Sequence, residues 1–301
     1  MDVHHLRTFR SVVATGSVRG AADVLGYSPS AISQQVALLQ RQAGVELLAR
    51  VGRGVEPTAA GRALAARGDG LLGELTDLED FVRGLQSGHR SALTLTYFAS
   101  LGVTWLPRIV KPLADEFPDT RVDLLVSDVF DPQRRPRSDV QLVVVPDAFH
   151  PGPGYDLEIL TQDPYVVALP AGHDLATGPG EQIPMAELAD QTWIDSDFTQ
   201  GWCRRVTLDA CAAAGFQPRY RIQTHDYQAA LALVAADLGI AVMPDLGVRS
   251  APEGVVVRPI VRPEPIRTIG AVILQESRQA DVVQRALSLA HSVARDTASG
   301  R

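Results

Sequence analysis

The 301-residue sequence has only two cysteines, Cys203 and Cys211, too few for the disulfide framework of a small secreted domain. No apolar run approaches the roughly 18 residues that a membrane-crossing helix needs, and helical patterning starts almost at once, without an apolar leader. A cytoplasmic protein with no membrane partner is therefore expected. GxSxG, P-loop, Gly-rich dinucleotide, HExxH and clustered metal-ligand patterns are all missing. That speaks against an enzyme, and no cofactor is expected. No segment repeats internally. A net charge of −7 argues against a protein that coats nucleic acid. Core-forming material, in contrast, is plentiful: 46% of residues are apolar, enough for two or three domains and against gross disorder.

The positive charge is gathered at one end. Residues 1–60 carry a surplus of +2, while the acidic excess lies further on, which suits docking at one defined anionic site. Val3 to Ala14 reads as a first helix ended by Gly16. Ser17 is placed as the N-cap of a second, with Val18, Ala21, Ala22 and Leu25 at helical spacing and Gly26 as its stop. Ser28 caps a third, with Pro29 at the first helical position, where a missing N–H costs nothing. Ile32, Val36, Leu39 and Ala43 form its apolar stripe, and Ser30, Ser33, Gln34, Ala37 and Arg41 lie opposite.

Two capped helices joined by a tight turn predict a helix-turn-helix, whose second helix enters the DNA major groove N-terminus first. Gln34 suits an adenine edge, and Ser28, Ser30 and Ser33 suit base edges or phosphates. A helical hairpin packed in a core would use many of the same residues. Leu47 to Pro57, with glycines flanking Arg53, predicts a short β-hairpin. Beside a helix-turn-helix this is a wing, and Arg50 and Arg53 would lie along phosphates or in the minor groove.

Thr58 is placed to cap a helix of about 28 residues, roughly 42 Å long. Leu64, Gly68, Leu71, Leu75, Leu78, Val82 and Leu85 alternate spacings of four and three, a heptad seam. A seam of that length predicts a homodimer, whose two heads would read two-fold related half-sites on double-stranded DNA. After Ser87–Ser91 the pattern changes. Ala92–Phe98, Val122–Ser127, Val140–Val145, Tyr165–Leu169, Trp193–Asp195, Tyr220–Thr224, Ile240–Met243, Val255–Ile260 and Thr268–Leu274 read as strands. Helical patterns lie between: Ser100 as the cap of a stretch to Phe117, then Gly201–Ala214, Tyr227–Leu238 and Arg278–Arg295. The alternation predicts α/β sheets with buried parallel strands.

Several motifs together resemble the LysR family of bacterial transcription regulators. In the head they are Leu6-Arg7-Thr8-Phe9, Gly16-Ser17, Ala21-Ala22, Ser28-Pro29-Ser30-Ala31-Ile32-Ser33-Gln34-Gln35, Arg50, Arg53 and Pro57-Thr58-Ala59-Ala60-Gly61. In the body they are Leu106-Pro107, Ala168-Leu169-Pro170, Gly215-Phe216-Gln217-Pro218 and Gly239 to Pro244. The resemblance implies a winged helix-turn-helix head (1–58), a dimerising linker helix (59–87) and a two-lobed α/β effector domain (91–296) like type 2 periplasmic binding proteins. Lobe one would be 91–162 with 267–296 and lobe two 163–266, with crossings near Leu160–Asp163 and Pro263–Arg267. A small-molecule effector in the cleft would act on a homodimer or homotetramer that addresses RNA polymerase.

Residue-by-residue matching places Ser100, Asp128 and Val129 on the first-lobe side of the cleft and Thr199, Gln200, Trp202 and His225 on the second. No arginine falls on these positions, His225 is the only candidate cation there, and Asp128, Asp195 and Asp197 would lie near the mouth, so a neutral or amine-bearing effector is expected. The chain departs from the family's pattern in Gln40 for Glu, Leu48-Ala49 for Phe-Glu, Asp237 for Gly and a short, proline-rich 131–137 segment. Peroxide-sensing members carry two cysteines near Cys203 and Cys211, which makes a thiol-based redox switch the alternative reading. Eight residues along one helix, about 12 Å of rise, is too far for a disulfide without unwinding.

Overall fold

The structure is a computed structural model. It describes residues 2–52, 54–87, 92–133, 137–178, 180–197 and 201–299, of which 77, 80, 81 and 83–87 by backbone alone. The chain forms two compact units, one of Met1–His89 and one of Arg90–Pro132 with Arg137–Arg301.

In the first unit, α1 (Val3–Thr15), α2 (Val18–Leu25) and α3 (Pro29–Ala43) begin where side chains satisfy free backbone N–H groups. Asp2, Ser17 and Ser28 accept from His4, Gly20 and Ala31. Gly16, Gly26 and Gly44 end them in the left-handed region. Leu6, Phe9, Val12, Ile32 and Leu39 are buried between the helices. β1 (Leu48–Val51) and β2 (Gly54–Pro57) pair antiparallel as the expected hairpin.

α4 (Ala59–Ser87) follows, capped by Thr58, whose Oγ1 accepts from Gly61 N at 3.0 Å and donates to the Glu46 carbonyl at 2.7 Å. A Cβ on Gly61 would lie 2.0 Å from the Leu47 carbonyl oxygen, so only glycine lets the helix start this close to the wing. A head this small has little core of its own, and α4 completes it: Ala65 is buried, and Leu64 and Leu72 pack against the same cluster. A Cβ on Gly68 would meet Leu6 Cδ1 at 3.0 Å. The expected seam is therefore divided. Leu64 and Gly68 serve the chain's own head, while Leu71, Leu78 and Val82 are 48%, 55% and 45% exposed.

The second unit opens with β3 (Ala92–Tyr97), α5 (Ala99–Thr104), α6 (Leu106–Glu116), β4 (Arg121–Val126) and β5 (Val140–Val145). β6 (Tyr155–Pro170) leads into a second lobe of α7 (Asp174–Thr177), β7 (Ile183–Pro184), β8 (Trp193–Asp195), α8 (Trp202–Ala213), β9 (Tyr220–Gln223), α9 (Tyr227–Ala235), β10 (Ala241–Pro244) and β11 (Val255–Val261). β12 (Ile266–Leu274) and α10 (Asp281–Ser299) return to the first. Lobe one buries Leu93, Leu95, Trp105, Ile109, Ile269 and Val283. In lobe two the end of β6 is covered on both faces, Tyr165, Val167 and Leu169 on one and Val166 and Ala168 on the other.

Four expectations need correction. β6 starts at Tyr155, ten residues before the predicted strand, because its first half is a polar, half-buried ribbon. The chain thus crosses between lobes inside one continuous strand. The strands are not all parallel: β6 pairs antiparallel with β10, β11 and β12, and β12 antiparallel with β5, leaving β3–β4, β3–β5, β7–β11 and β8–β9 parallel. The single helical stretch expected from Ser100 to Phe117 is two helices, broken at Trp105, with Pro107 in the first turn of α6 and Pro112 inside it. α9 stops at Ala235 because Asp237 adopts φ +59°, where a glycine would be at ease. Between β4 and β5 the described residues form no helix, as the short 131–137 segment predicts.

Candidate DNA-reading head and effector cleft

α3 presents its two faces as its periodicity requires. Ile32, Val36 and Leu39 are buried, and Ser30, Ser33, Gln34, Ala37 and Arg41 are exposed. Ser28 Oγ accepts from Ala31 N at 3.2 Å and lies 2.9 Å from Ser30 Oγ, so two hydroxyls gather at the helix N-terminus. There the first-turn N–H groups already favour an anion. The helix is held from behind: Thr8 donates to Gln35, and Gln40 Oε1 accepts from Leu47 N and Leu48 N at 2.9 and 3.1 Å. Gln40 thereby ties the end of α3 to the start of the wing with a neutral side chain. Arg50 is exposed on β1, opposite Val55; Arg53 lies outside the described residues. Arg7 pairs with Glu79 at 3.2 Å and Arg10 with Asp69, so two head arginines are spent on α4.

The second unit brings some of the predicted cleft residues together and disperses others. Ser100 is not a cap. It is the buried second residue of α5, and Arg267 Nη2 donates to its Oγ at 2.6 Å. Asp128 does the capping instead, its carboxylate taking the Ala99 N–H. Val129 is exposed, and its carbonyl accepts from Ser127 Oγ at 2.9 Å and Gln141 Nε2 at 3.1 Å. Trp202 is no core residue: it is 44% exposed, with the Arg205 guanidinium 5.7 Å from its ring centroid. Thr199 and Gln200 lie outside the described residues. His225, Asp197 and Arg267 all act electrostatically on Asp128, so groups of both lobes lie within electrostatic reach of it. Withdrawal from water, and then Asp197, push the Asp128 carboxyl above its ordinary range, against the pull of His225 and Arg267.

Two expectations about charge fail. Asp195 does not line the mouth: it is 4% exposed, faces Arg204 Nη2 at 2.9 Å and accepts from Asp197 N at 3.1 Å. Burial pushes its carboxyl upward. And a cation does lie at the floor. Arg267 is fully buried, donating Nε and Nη2 to Asp163 Oδ2 at 3.0 and 2.7 Å. The two residues are register partners on β12 and β6. Sequence reasoning missed both, although each is a charged residue at the edge of a long apolar run, where burial demands a partner. Within lobe two, Tyr165, Asp195, Asp197, Cys203 and Tyr227 help line a cavity of ≈ 20 Å³, close to the roughly 10–15 Å³ that one water needs.

The cysteines do not form a redox pair here. Cys203 and Cys211 sit at opposite ends of an uninterrupted helix. Burial pushes the Cys203 thiol up, against the pull of Arg267, and Cys211 to about 12. A reactive thiol needs the opposite shift. Among the described residues no cluster of three metal-ligating side chains exists, and no helix is long and apolar enough to cross a membrane.

Comparison with known proteins is consistent along the whole chain. Residues 3–62 match the family "Bacterial regulatory helix-turn-helix protein, lysR family", and residues 86–295 match "LysR substrate binding domain". The HTH-type transcriptional regulator ShiR of Corynebacterium glutamicum is 27% identical, over 80% of this chain and 82% of its own length. A "Probable hydrogen peroxide-inducible genes activator" of Streptomyces viridosporus is 31% identical, over 81% and 78%. The solved structure of full-length CbnR complexed with its target DNA superposes with a TM-score of 0.77 over 97% of this chain and 100% of that one, at 21% identity. A winged helix-turn-helix head, a long connecting helix and a two-lobed α/β effector domain thus make this chain a member of the LysR family of DNA-binding transcription regulators.

Proposed function

We propose that the chain works in the cytoplasm as a homodimer, or as a homotetramer of two such dimers, that reads two-fold related half-sites in a promoter and addresses RNA polymerase there. A small neutral or amine-bearing effector between the lobes sets its activity, and no catalysis is involved. The observation that carries the DNA part is the row Ser30, Ser33 and Gln34 on the exposed face of α3, with Ser28 at its N-terminus. Gln34 is assigned to a base edge, the serines to bases or phosphates, and Arg50 and Arg53 to phosphates along the wing.

Gln34→Ala is expected to weaken binding to the cognate site by about 1–3 kcal/mol and to relax preference at one base pair, leaving scrambled DNA unaffected. Arg50→Ala should weaken every sequence alike and lower the salt slope by about 1. Fluorescence anisotropy against specific and scrambled duplexes at several salt concentrations separates them. Equal losses on both duplexes for Gln34→Ala would remove its assigned role.

For the effector, Arg267 is already neutralised by Asp163, and Arg204 covers Asp195. Asp128 lies within electrostatic reach of Asp197 and His225. A dicarboxylate would have to shed water beside like charge. Thermal shift of the full chain with matched amine and dicarboxylic analogues should favour the amines, since a ligand that binds only the folded state raises its stability. Preferential stabilisation by the diacids, lost in His225→Ala, would overturn this assignment. The thiol reading draws support from the peroxide-inducible relative and from Arg267 Nη1, 3.3 Å from Cys203 Sγ, but burial of the thiol outweighs it.

A further inference from the structure

Neutralising Asp163 takes only part of the Arg267 fork, yet Arg267 reaches much further. Nη2 also donates to Ser100 Oγ at 2.6 Å, and Nη1 to Cys203 Sγ at 3.3 Å. Its Cζ stands 4.8 Å from the centre of the Phe98 ring. Phe98 and Ser100 form the start of α5 in lobe one, and Cys203 belongs to the first turn of α8 in lobe two. Asp163 and Arg267 sit on the two segments by which the chain crosses between the lobes. The Cys203 carbonyl in turn accepts from Tyr165 Oη at 2.9 Å, just past the crossing on β6. One fully buried side chain therefore touches both crossings and one helix start from each lobe. A planar guanidinium with five N–H groups can make these bonds together; a point charge cannot.

We propose that Arg267 is a positioning residue that clamps α5 of lobe one to α8 of lobe two, so that the effector acts by keeping or breaking the Ser100–Arg267–Cys203 bridge. This rests on reading the cleft as the effector site. It supplies what an effector needs in order to act at all, an interaction that differs between two lobe arrangements. A ligand group that takes the Ser100 hydroxyl releases one arm of the clamp, while Asp163 keeps the guanidinium charge satisfied. The lobes can then part without stranding a buried cation.

The test is amide hydrogen exchange on the ligand-free, full-length chain. Ser100→Ala removes a lobe-one hydroxyl whose hydrogen-bonded link to α8 runs through Arg267. It is expected to speed exchange in peptides of α8 by about tenfold, local openings being the low-stability end of the fold. Cys203→Ala should do the same to peptides of α5 and α6. Ser100→Thr and Cys203→Ser keep an acceptor and should restore slow exchange in the opposite lobe, which a merely structural defect would not do. In an Arg267→Lys background, Ser100→Ala should no longer affect α8. Effects confined to the substituted lobe, or a uniform rise in both lobes that the conservative variants share, would overturn the clamp. The reciprocal Ser100 and Cys203 pair decides the matter even if Arg267→Lys fails to fold. Because no ligand is present, a negative result here is separate from a failure of the amine titration, which tests the effector site itself.

Discussion

Asp163→Ala is expected to destabilise the effector domain by about 3–5 kcal/mol, the usual cost of leaving one partner of a buried ion pair unpaired. Asp163 and Arg267 side chains are both 0% exposed. Removing the carboxylate strands a guanidinium that cannot lose its proton at any ordinary pH. It also removes the acceptor of the Leu246 N–H, 3.4 Å away. The control is the double replacement Asp163→Leu with Arg267→Met. With no charge left to solvate, most of the loss should return, even though the clamp is gone. Urea unfolding of the full chain followed by tryptophan fluorescence reads this cleanly, because Trp105, Trp193 and Trp202 all lie in the second unit. A loss under about 1 kcal/mol for Asp163→Ala would mean that water reaches the pair, contrary to its burial.

The head was legible because its signals are local. Each cap and stop lies within one helical turn of what it completes: Ser17 with Gly20, Ser28 with Ala31, Gly26 and Gly44 at the ends. Short strands bounded by turn residues were legible for the same reason. Features set by distant partners were not. Ser100 looked like a cap because a serine before a helical pattern usually is one, yet its hydroxyl is taken by a residue 167 positions away. The first half of β6 hid behind Asp156, Glu158 and Gln162, polar residues that one-sided burial allows and that an apolar-run criterion rejects. Asp195 read as a rim carboxylate because nothing nearby in sequence announces Arg204 as its partner. The seam on α4 showed its period but not its division between the head and whatever lies beyond, since a heptad pattern carries no label for which surface it meets.

That division shapes the prediction for assembly. Leu71, Leu78 and Val82 follow one another at heptad spacing on the solvent side of α4, each about half exposed. Leu78→Asp should therefore cost a lone chain almost nothing, since an exposed leucine contributes little to its own fold. In a two-fold dimer the substitution appears twice, and two-fold symmetry brings each copy to the same patch of the partner. At about 2 kcal/mol or more to bury each carboxylate without a partner, the pair should weaken the dimer by about 10³-fold. Sedimentation equilibrium at low micromolar concentration should then show monomer mass with unchanged helical circular dichroism. DNA affinity should fall steeply as well, because the second head no longer binds as a tethered neighbour of the first. Leu72→Asp is the informative contrast. Leu72 packs against Leu6, Phe9 and Leu39 in the core of the head, so its replacement should melt the head rather than split the dimer. If Leu78→Asp leaves the mass unchanged, the open stripe on α4 is not the dimer contact, and the two heads must be brought together by another surface.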